Sequence, residues 1–395
     1  MLFFDTTFAA DKIKPKKTPL KKLSKQLGNG ELVKIQSYQA ANYKAIKEGW
    51  YKETPINVEA LLTFPKGEGP FPVLLLVHSS GGAKEFTEDY LEFMRDQQKP
   101  LLDMGIATMY LDNFSARGAK HTYRDQSKAS IWSTYIDAFM ALEYLSKNPK
   151  VNKNKIGISG MSRGGNISMM AGEKRIRDAL VSKDLYFAAA QPRSPECGMT
   201  GMFRNPQPIK ETKIWYVHGK ADDFTSYKQC VELAKKMNAN GGNVKIDIRS
   251  GWHHMFTGGF EPKFFKFFQT FRKCPPWYTE DDGSVNKEWV DAHISHGIFK
   301  SEEEFDKISR EDPKKAFKKM IKGENFSILL NHFEHQIYKE YISDKIAIFE
   351  VTILDSDKKY YKIKWQVEKY LIDGPLKDCW LTTAVSQPKA IGSSI

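Results

Sequence analysis

Gly160-Met161-Ser162-Arg163-Gly164 sets one serine between two glycines at Gly-x-Ser-x-Gly spacing. Residues 155–159 read as a strand and residues 166–171 lie in a helical run, so Ser162 sits at a strand-to-helix turn. A tight turn there lifts the hydroxyl to the edge of a sheet. It also brings backbone so close that side chains two residues either side would collide. The next N–H, of Arg163, opens the helix, where positive potential stabilises an oxyanion. The bland alternative is a glycine-rich turn that only packs strand against helix.

A serine nucleophile needs a base, and the base needs an orienting carboxylate, in the chain order Ser, Asp/Glu, His for such a turn. Residues 214–217 read as a strand, followed by His218-Gly219-Lys220-Ala221-Asp222-Asp223. Residues 244–248 read as the next strand, followed by Ser250-Gly251-Trp252-His253-His254. The candidates thus stand at successive strand ends in the required order. Neighbouring loop residues point differently, so one of Asp222 and Asp223 serves, and one of His253 and His254. Upstream, His78-Ser79-Ser80-Gly81-Gly82 follows another apolar strand. Small residues there let a backbone N–H face the reaction centre, and Ser80 is the expected second oxyanion donor. His78 reads as structural, because the base position is already filled.

These residues need a sheet to position them. Two β-rich runs, 32–38 and 56–64, precede Phe71-Pro72-Val73-Leu74-Leu75-Leu76-Val77, an apolar run expected of a central strand covered on both faces. Residues 87–102 carry helical spacing. Then 106–111 reads as strand, 131–145 as helix, 185–190 as strand, 230–237 as helix and the Phe-rich 262–271 as a last helix. Alternation of this kind implies an α/β, doubly wound, mainly parallel sheet over residues 31–275. Residues 1–30 read as a basic tail or the remnant of an export signal. Residues 276–395 read as a small α+β appendage: helical from 284 to 340, then strands at 346–354, 360–370 and 379–385.

Composition narrows the classes. The 395 residues carry a formal charge of +12, with 41% hydrophobic residues, enough for a large core and against wholesale disorder. No uninterrupted apolar stretch is long enough for a membrane span. Four cysteines without Cys-x-x-Cys spacing exclude a cysteine-based zinc ribbon. No repeat points to a solenoid or propeller. Much of the positive charge is lysine between Lys12 and Lys25 without interleaved aromatics, so it reads as a solvated tail and not a nucleic-acid arm. The first ten residues look like the end of a secretory signal without its positive start. That reading favours a periplasmic or secreted protein, with a cytoplasmic one as the alternative. His293/His296 and His332/His335 each lie three apart, too few ligands for a metal site, and no metal or organic cofactor is expected.

Taken together, the residues at 78–82, 160–165, 218–223 and 253–256 resemble an α/β-hydrolase, and within it the dienelactone hydrolase-like branch. Leu111-Asp112-Asn113-Phe114-Ser115-Ala116-Arg117-Gly118 is similar to that branch's aspartate-to-arginine loop. The resemblance covers about residues 50–275. It implies Asp222 as the orienter, His254 as the base, and Arg117 as a holder of substrate carboxylate, with a structural loop arginine as the alternative. It also suggests that Cys197 and Cys230 pair. Two departures stand out: Ser162 where dienelactone hydrolases proper carry cysteine, and no glutamate within 78–82. The resemblance therefore implies a serine carboxylesterase acting on small-molecule esters or lactones. The alternatives are a peptidase or acyltransferase with the same triad, and an inactive hydrolase fold used for binding. Met199, Met202 and Phe203, in the short insertion near 192–208, are candidate pocket residues.

Overall fold

The computed structural model describes residues 14–87, 97–198, 201–222, 224–254, 277–295, 298–320, 338–341, 346–354, 360–369, 380–385 and 389–392. The phenylalanine-rich run 262–271, Asp223, Met199, His296, His332 and His335 lie outside them, as does the start of the chain.

Eight strands form the main sheet in the order β1-β2-β4-β3-β5-β6-β8-β9. They are β1 (Glu31–Tyr38), β2 (Pro55–Thr63), β3 (Phe71–Val77), β4 (Ala107–Asp112), β5 (Val151–Met161), β6 (Ala189–Arg193), β8 (Lys213–Gly219) and β9 (Asn243–Arg249). From β4 through β9 all neighbours are parallel, whereas β2 runs antiparallel to both β1 and β4. The apolar run of β3 does what its composition demands. Val73, Leu75 and Val77 enter the main core, and Leu76 enters a second cluster on the opposite face.

That second cluster corrects the tail reading for residues 20–27. Leu20–Leu27 forms helix α1, and Leu20 and Leu23 are fully buried against Leu61, Leu76, Phe86 and Tyr110. The lysines between these leucines occupy the exposed side of an amphipathic helix. The next helices are α2 (Tyr43–Lys47), α3 (Gln98–Asp103), α4 (Ile131–Ser146), α5 (Arg163–Met170), α6 (Lys174–Leu180) and α7 (Tyr227–Ala239). Helix α4 is apolar nearly all round and buried through most of its length. It starts where the Ser130 hydroxyl caps the N–H of Trp132 at 3.2 Å.

The strand expected at 185–190 begins later, at Ala189. Leu185 and Phe187 are buried in the preceding loop, which explains their apolar character without a strand. Packing also crosses the expected boundary at 275/276. Trp277, Trp289, Phe305, Phe317 and Met320 belong to the main core. They come from the segment that holds α8 (Lys287–Ser295), α9 (Glu302–Glu311) and α10 (Pro313–Met320). Strand β10 (Tyr278–Thr279) pairs with β7 (Met202–Phe203), so Met202 and Phe203 are core residues and not pocket lining. Beyond this lies a separate antiparallel sheet: β11 (Tyr338–Tyr341), β12 (Ile346–Leu354), β13 (Tyr360–Lys369), β14 (Trp380–Val385) and β15 (Lys389–Gly392). No helix among the described residues is long and apolar enough to cross a membrane.

Candidate active site

Ser162 joins β5 to α5 with φ 55° and ψ −118°, a backbone conformation strained for any residue with a side chain. Two hydrogen bonds hold it: its N–H donates to the Arg193 carbonyl at 2.8 Å, and its carbonyl accepts from Asn166 N–H at 2.9 Å. The flanking glycines are required by space. A Cβ on Gly160 would lie 2.6 Å from Val77 Cγ2 and 2.7 Å from the Gly164 carbonyl. One on Gly164 would lie 2.5 Å from the Val77 carbonyl oxygen and 2.8 Å from that of His78. Helix α5 thus sits directly on the end of β3. Gly164→Ala is expected to cost about 1–3 kcal/mol of stability by forcing the two apart. Urea denaturation measures it, and a variant as stable as the wild type would show that the contact yields freely.

Asp222 follows β8 and is buried. Its Oδ1 accepts the N–H groups of Phe224 and Thr225, each at 2.9 Å. Its Oδ2 faces His254 Nδ1 at 2.8 Å, the Thr225 hydroxyl at 3.0 Å and His218 Nε2 at 3.1 Å. Burial alone would raise its pKa, but His254 and His218 together hold the carboxyl well below the usual range. His254, after β9, is buried and lies against the Phe224 ring, with centroids 5.1 Å apart. The geometry therefore joins Asp222 to His254, the pair that the resemblance implied. The Thr225 hydroxyl also lies 3.4 Å from the Ser194 carbonyl, one residue beyond the Arg193 carbonyl that holds Ser162. The ends of β5, β6, β8 and β9 are thus tied along one edge.

At the end of β3, Ser79 N–H donates to Glu85 at 3.0 Å, and the Ser79 hydroxyl donates to the same carboxylate. Among the described residues, no acceptor pairs with the backbone N–H of Ser80 or of Arg163. Their side chains are linked through Gln126. Arg163 Nη1 donates to Gln126 Oε1 at 2.8 Å, and Gln126 Nε2 donates to the Ser80 hydroxyl at 3.0 Å. Desolvation pulls the Arg163 guanidinium down to about 9. His78 accepts Asn113 N–H at 3.1 Å and lies 2.8 Å from the Ser79 carbonyl, and burial lowers its pKa, so it acts as a neutral structural ring.

Arg117 is corrected. It is 1% exposed, and its guanidinium forks onto Asp137 at 2.7 and 2.9 Å. It also donates to the carbonyls of Asn113 at 2.6 Å and Tyr38 at 3.0 Å. This is the structural alternative, and it leaves no face for a substrate carboxylate. Residues 78–82 hold no glutamate of their own, but one reaches them from just downstream. Glu85, three residues on, turns its carboxylate back under that loop, where burial pushes its pKa up and Ser79 and the charge of His254 oppose the rise. Sequence reasoning also missed Gln126, Thr225 and His218. None lies at a motif position that signals its role, although His218 heads the loop that carries Asp222. Cys197 and Cys230 form a disulfide, fastening the loop after β6 to α7.

A mainly parallel sheet with a strained strand-to-helix serine and a bonded Asp–His pair at one edge defines an α/β-hydrolase fold. Residues 58–263, just over half of the chain, match the dienelactone hydrolase family, and the chain belongs to that family. It is a hydrolase. A protein of Aquifex aeolicus described as "Putative carboxymethylenebutenolidase" is 22% identical over 246 residues, spanning 58% of this chain and 92% of that protein. The protein usf of Aquifex pyrophilus is 24% identical over 122 residues, 29% of this chain and 46% of its own. Among solved structures, a thermophilic esterase of Thermogutta terrifontis has a TM-score of 0.39 at 14% identity, covering 56% of this chain and 84% of that one.

Proposed function

We propose that the chain is a serine hydrolase of carboxylic esters or lactones that works through an acyl-enzyme on Ser162. The observation that carries this reading is the 2.8 Å Asp222–His254 hydrogen bond at the sheet edge that also bears the strained Ser162. His254 Nε2 takes the hydroxyl proton as Ser162 Oγ attacks the ester carbonyl. Asp222 holds the Nδ1–H and stabilises the imidazolium. The N–H groups of Arg163 and Ser80 receive the oxyanion. The protonated alcohol leaves, and water, deprotonated by His254, releases the acid and restores Ser162. The chemistry calls on no metal or organic cofactor. Small-molecule esters are the expected partners.

A serine-directed phosphonate tests this. It is expected to attach to the Ser162 peptide, located by mass spectrometry, and para-nitrophenyl esters of increasing chain length are expected to be hydrolysed. Ser162→Ala, with unchanged circular dichroism, should lose the label and at least about 10³-fold in kcat. Equal rates in both proteins, or a label on another residue, would overturn the assignment.

A further inference from the structure

We propose that His218 is a positioning residue for this reaction: fastened by the Tyr216 hydroxyl, it donates its Nε2–H to Asp222 and fixes the carboxylate oxygen that faces His254. The inference rests on the triad reading above and deepens it.

His218 is the last residue but one of β8 and is fully buried. Its Nδ1 lies 2.8 Å from the Tyr216 hydroxyl, and its Nε2 lies 3.1 Å from Asp222 Oδ2. The contact with Asp222 sets the proton on Nε2, which also lies 3.2 Å from the Thr225 hydroxyl. A carboxylate oxygen offers only lone pairs, so the nitrogen facing it must carry the proton. Nδ1 then accepts, and Tyr216 donates. Tyr216 can do so throughout the working range, because burial, reinforced by the Asp222 charge, raises the pKa of its hydroxyl. The other acceptor near that hydroxyl, the Tyr227 carbonyl, is farther at 3.3 Å. The titratable neighbours of the His218 ring are Tyr216 on its own strand, Asp222 in the next loop and Tyr227 on α7. His254 and His218 meet at the shared carboxylate oxygen and at the Thr225 hydroxyl, which lies 3.4 Å from His254 Nδ1 and 3.2 Å from His218 Nε2.

The consequence concerns that oxygen. Oδ1 of Asp222 is pinned by two backbone N–H groups, so Oδ2 is the side that could shift. Two imidazoles converge on it from different strand ends, with the Thr225 hydroxyl as a third donor. The His218 donor draws negative charge away from the bond to His254. It thereby limits how strongly Asp222 holds the imidazolium, and keeps His254 free to release its proton to the leaving alcohol.

Three variants test this on para-nitrophenyl esters. His218→Phe keeps the ring shape and removes both nitrogens. It is expected to lower kcat about 10-fold with little change in KM, and to move the acid limb of kcat/KM to higher pH, as Asp222 then stabilises the His254 imidazolium more strongly. His218→Gln restores an N–H near the Nε2 position and should return the acid limb to its wild-type pH. Tyr216→Phe should fall between them. An unmoved acid limb in His218→Phe, or a shift in His218→Gln as large as in His218→Phe, overturns the inference. Nitrogen-15 NMR of histidine-labelled Ser162→Ala protein decides independently of turnover and of whether His218→Phe folds. A proton on Nε2 of His218 is expected, and a proton on Nδ1 alone overturns the proposal. Failure of the triad reading looks different: the phosphonate would then leave Ser162 unlabelled in the wild type, whatever His218 does.

Discussion

Asp222→Asn is expected to lower kcat roughly 10⁴-fold while the fold survives. The direction follows from the hydrogen bonds at the other carboxylate oxygen. Phe224 and Thr225 present backbone N–H groups to Oδ1, so an asparagine must place its carbonyl there and its NH₂ where Oδ2 stood. That NH₂ then faces His254 Nδ1 and donates to it. The ring is driven to the tautomer with its proton on Nε2, the nitrogen that has to accept from Ser162. The same turn sets the NH₂ against His218 Nε2–H, donor against donor. Steady-state kinetics of Asp222→Asn, with a thermal melt to confirm folding, measure the effect. A loss of less than about 10-fold would mean that Asp222 is not the orienter.

The second large effect concerns stability. Arg117→Met is expected to cost about 3–5 kcal/mol, because it leaves Asp137 as an uncompensated charge in the core. Asp137 retains its bonds from Ser37 and from Asn113 Nδ2, but neither carries a positive charge. In a domain of this size the loss corresponds to roughly 10 °C in Tm. The double variant Arg117→Met/Asp137→Leu should recover much of it, since an apolar pair of similar volume replaces two desolvated ions. Thermal melts of the three proteins decide. Were Arg117→Met as stable as the wild type and weakened only toward esters bearing a carboxylate, Arg117 would be a substrate residue after all.

What could be read in advance depended on how local the signal was. The glycines at 160 and 164 announce themselves because the clash they avoid is with backbone at fixed offsets. Asp222 and His254 follow because strand ends place them on one edge. The strands of the second sheet were visible too: 346–354 matches Ile346–Leu354, and 360–370, where apolar and charged residues alternate, runs one residue past the strand Tyr360–Lys369. Helix α1 was hidden because seven lysines dominate residues 12–25 and obscure the spacing of Leu20, Leu23 and Leu27. Strand β6 was displaced because Ala189-Ala190-Gln191-Pro192-Arg193 has weak strand propensity. Its place comes from tertiary pairing beside Ser162. Arg117 sits in a motif-like loop whose sequence is the same whether the guanidinium faces a ligand or Asp137. Only the depth of burial separates the two. Gln126 gains its role from contacts across the chain, to Ser80 and Arg163, which no local spacing encodes, whereas Glu85 bonds the nearby Ser79 without any motif that marks it.

The stretch by which kinship is recognised, 58–263, is not a portable piece of this protein. Lifted out, it would lose β1, which pairs with β2 from end to end. It would also lose Leu20 and Leu23 on one side of the sheet and Trp277, Trp289, Phe305 and Phe317 from the other. At about 1.5–3 kcal/mol for each large buried side chain, those losses are as large as the whole margin by which a domain stays folded. Inheritance is written in the middle of the chain, while cohesion is completed by both flanks. A transplant of the catalytic chemistry into another protein would have to carry residues from α1 through α10, not the ancestral segment alone.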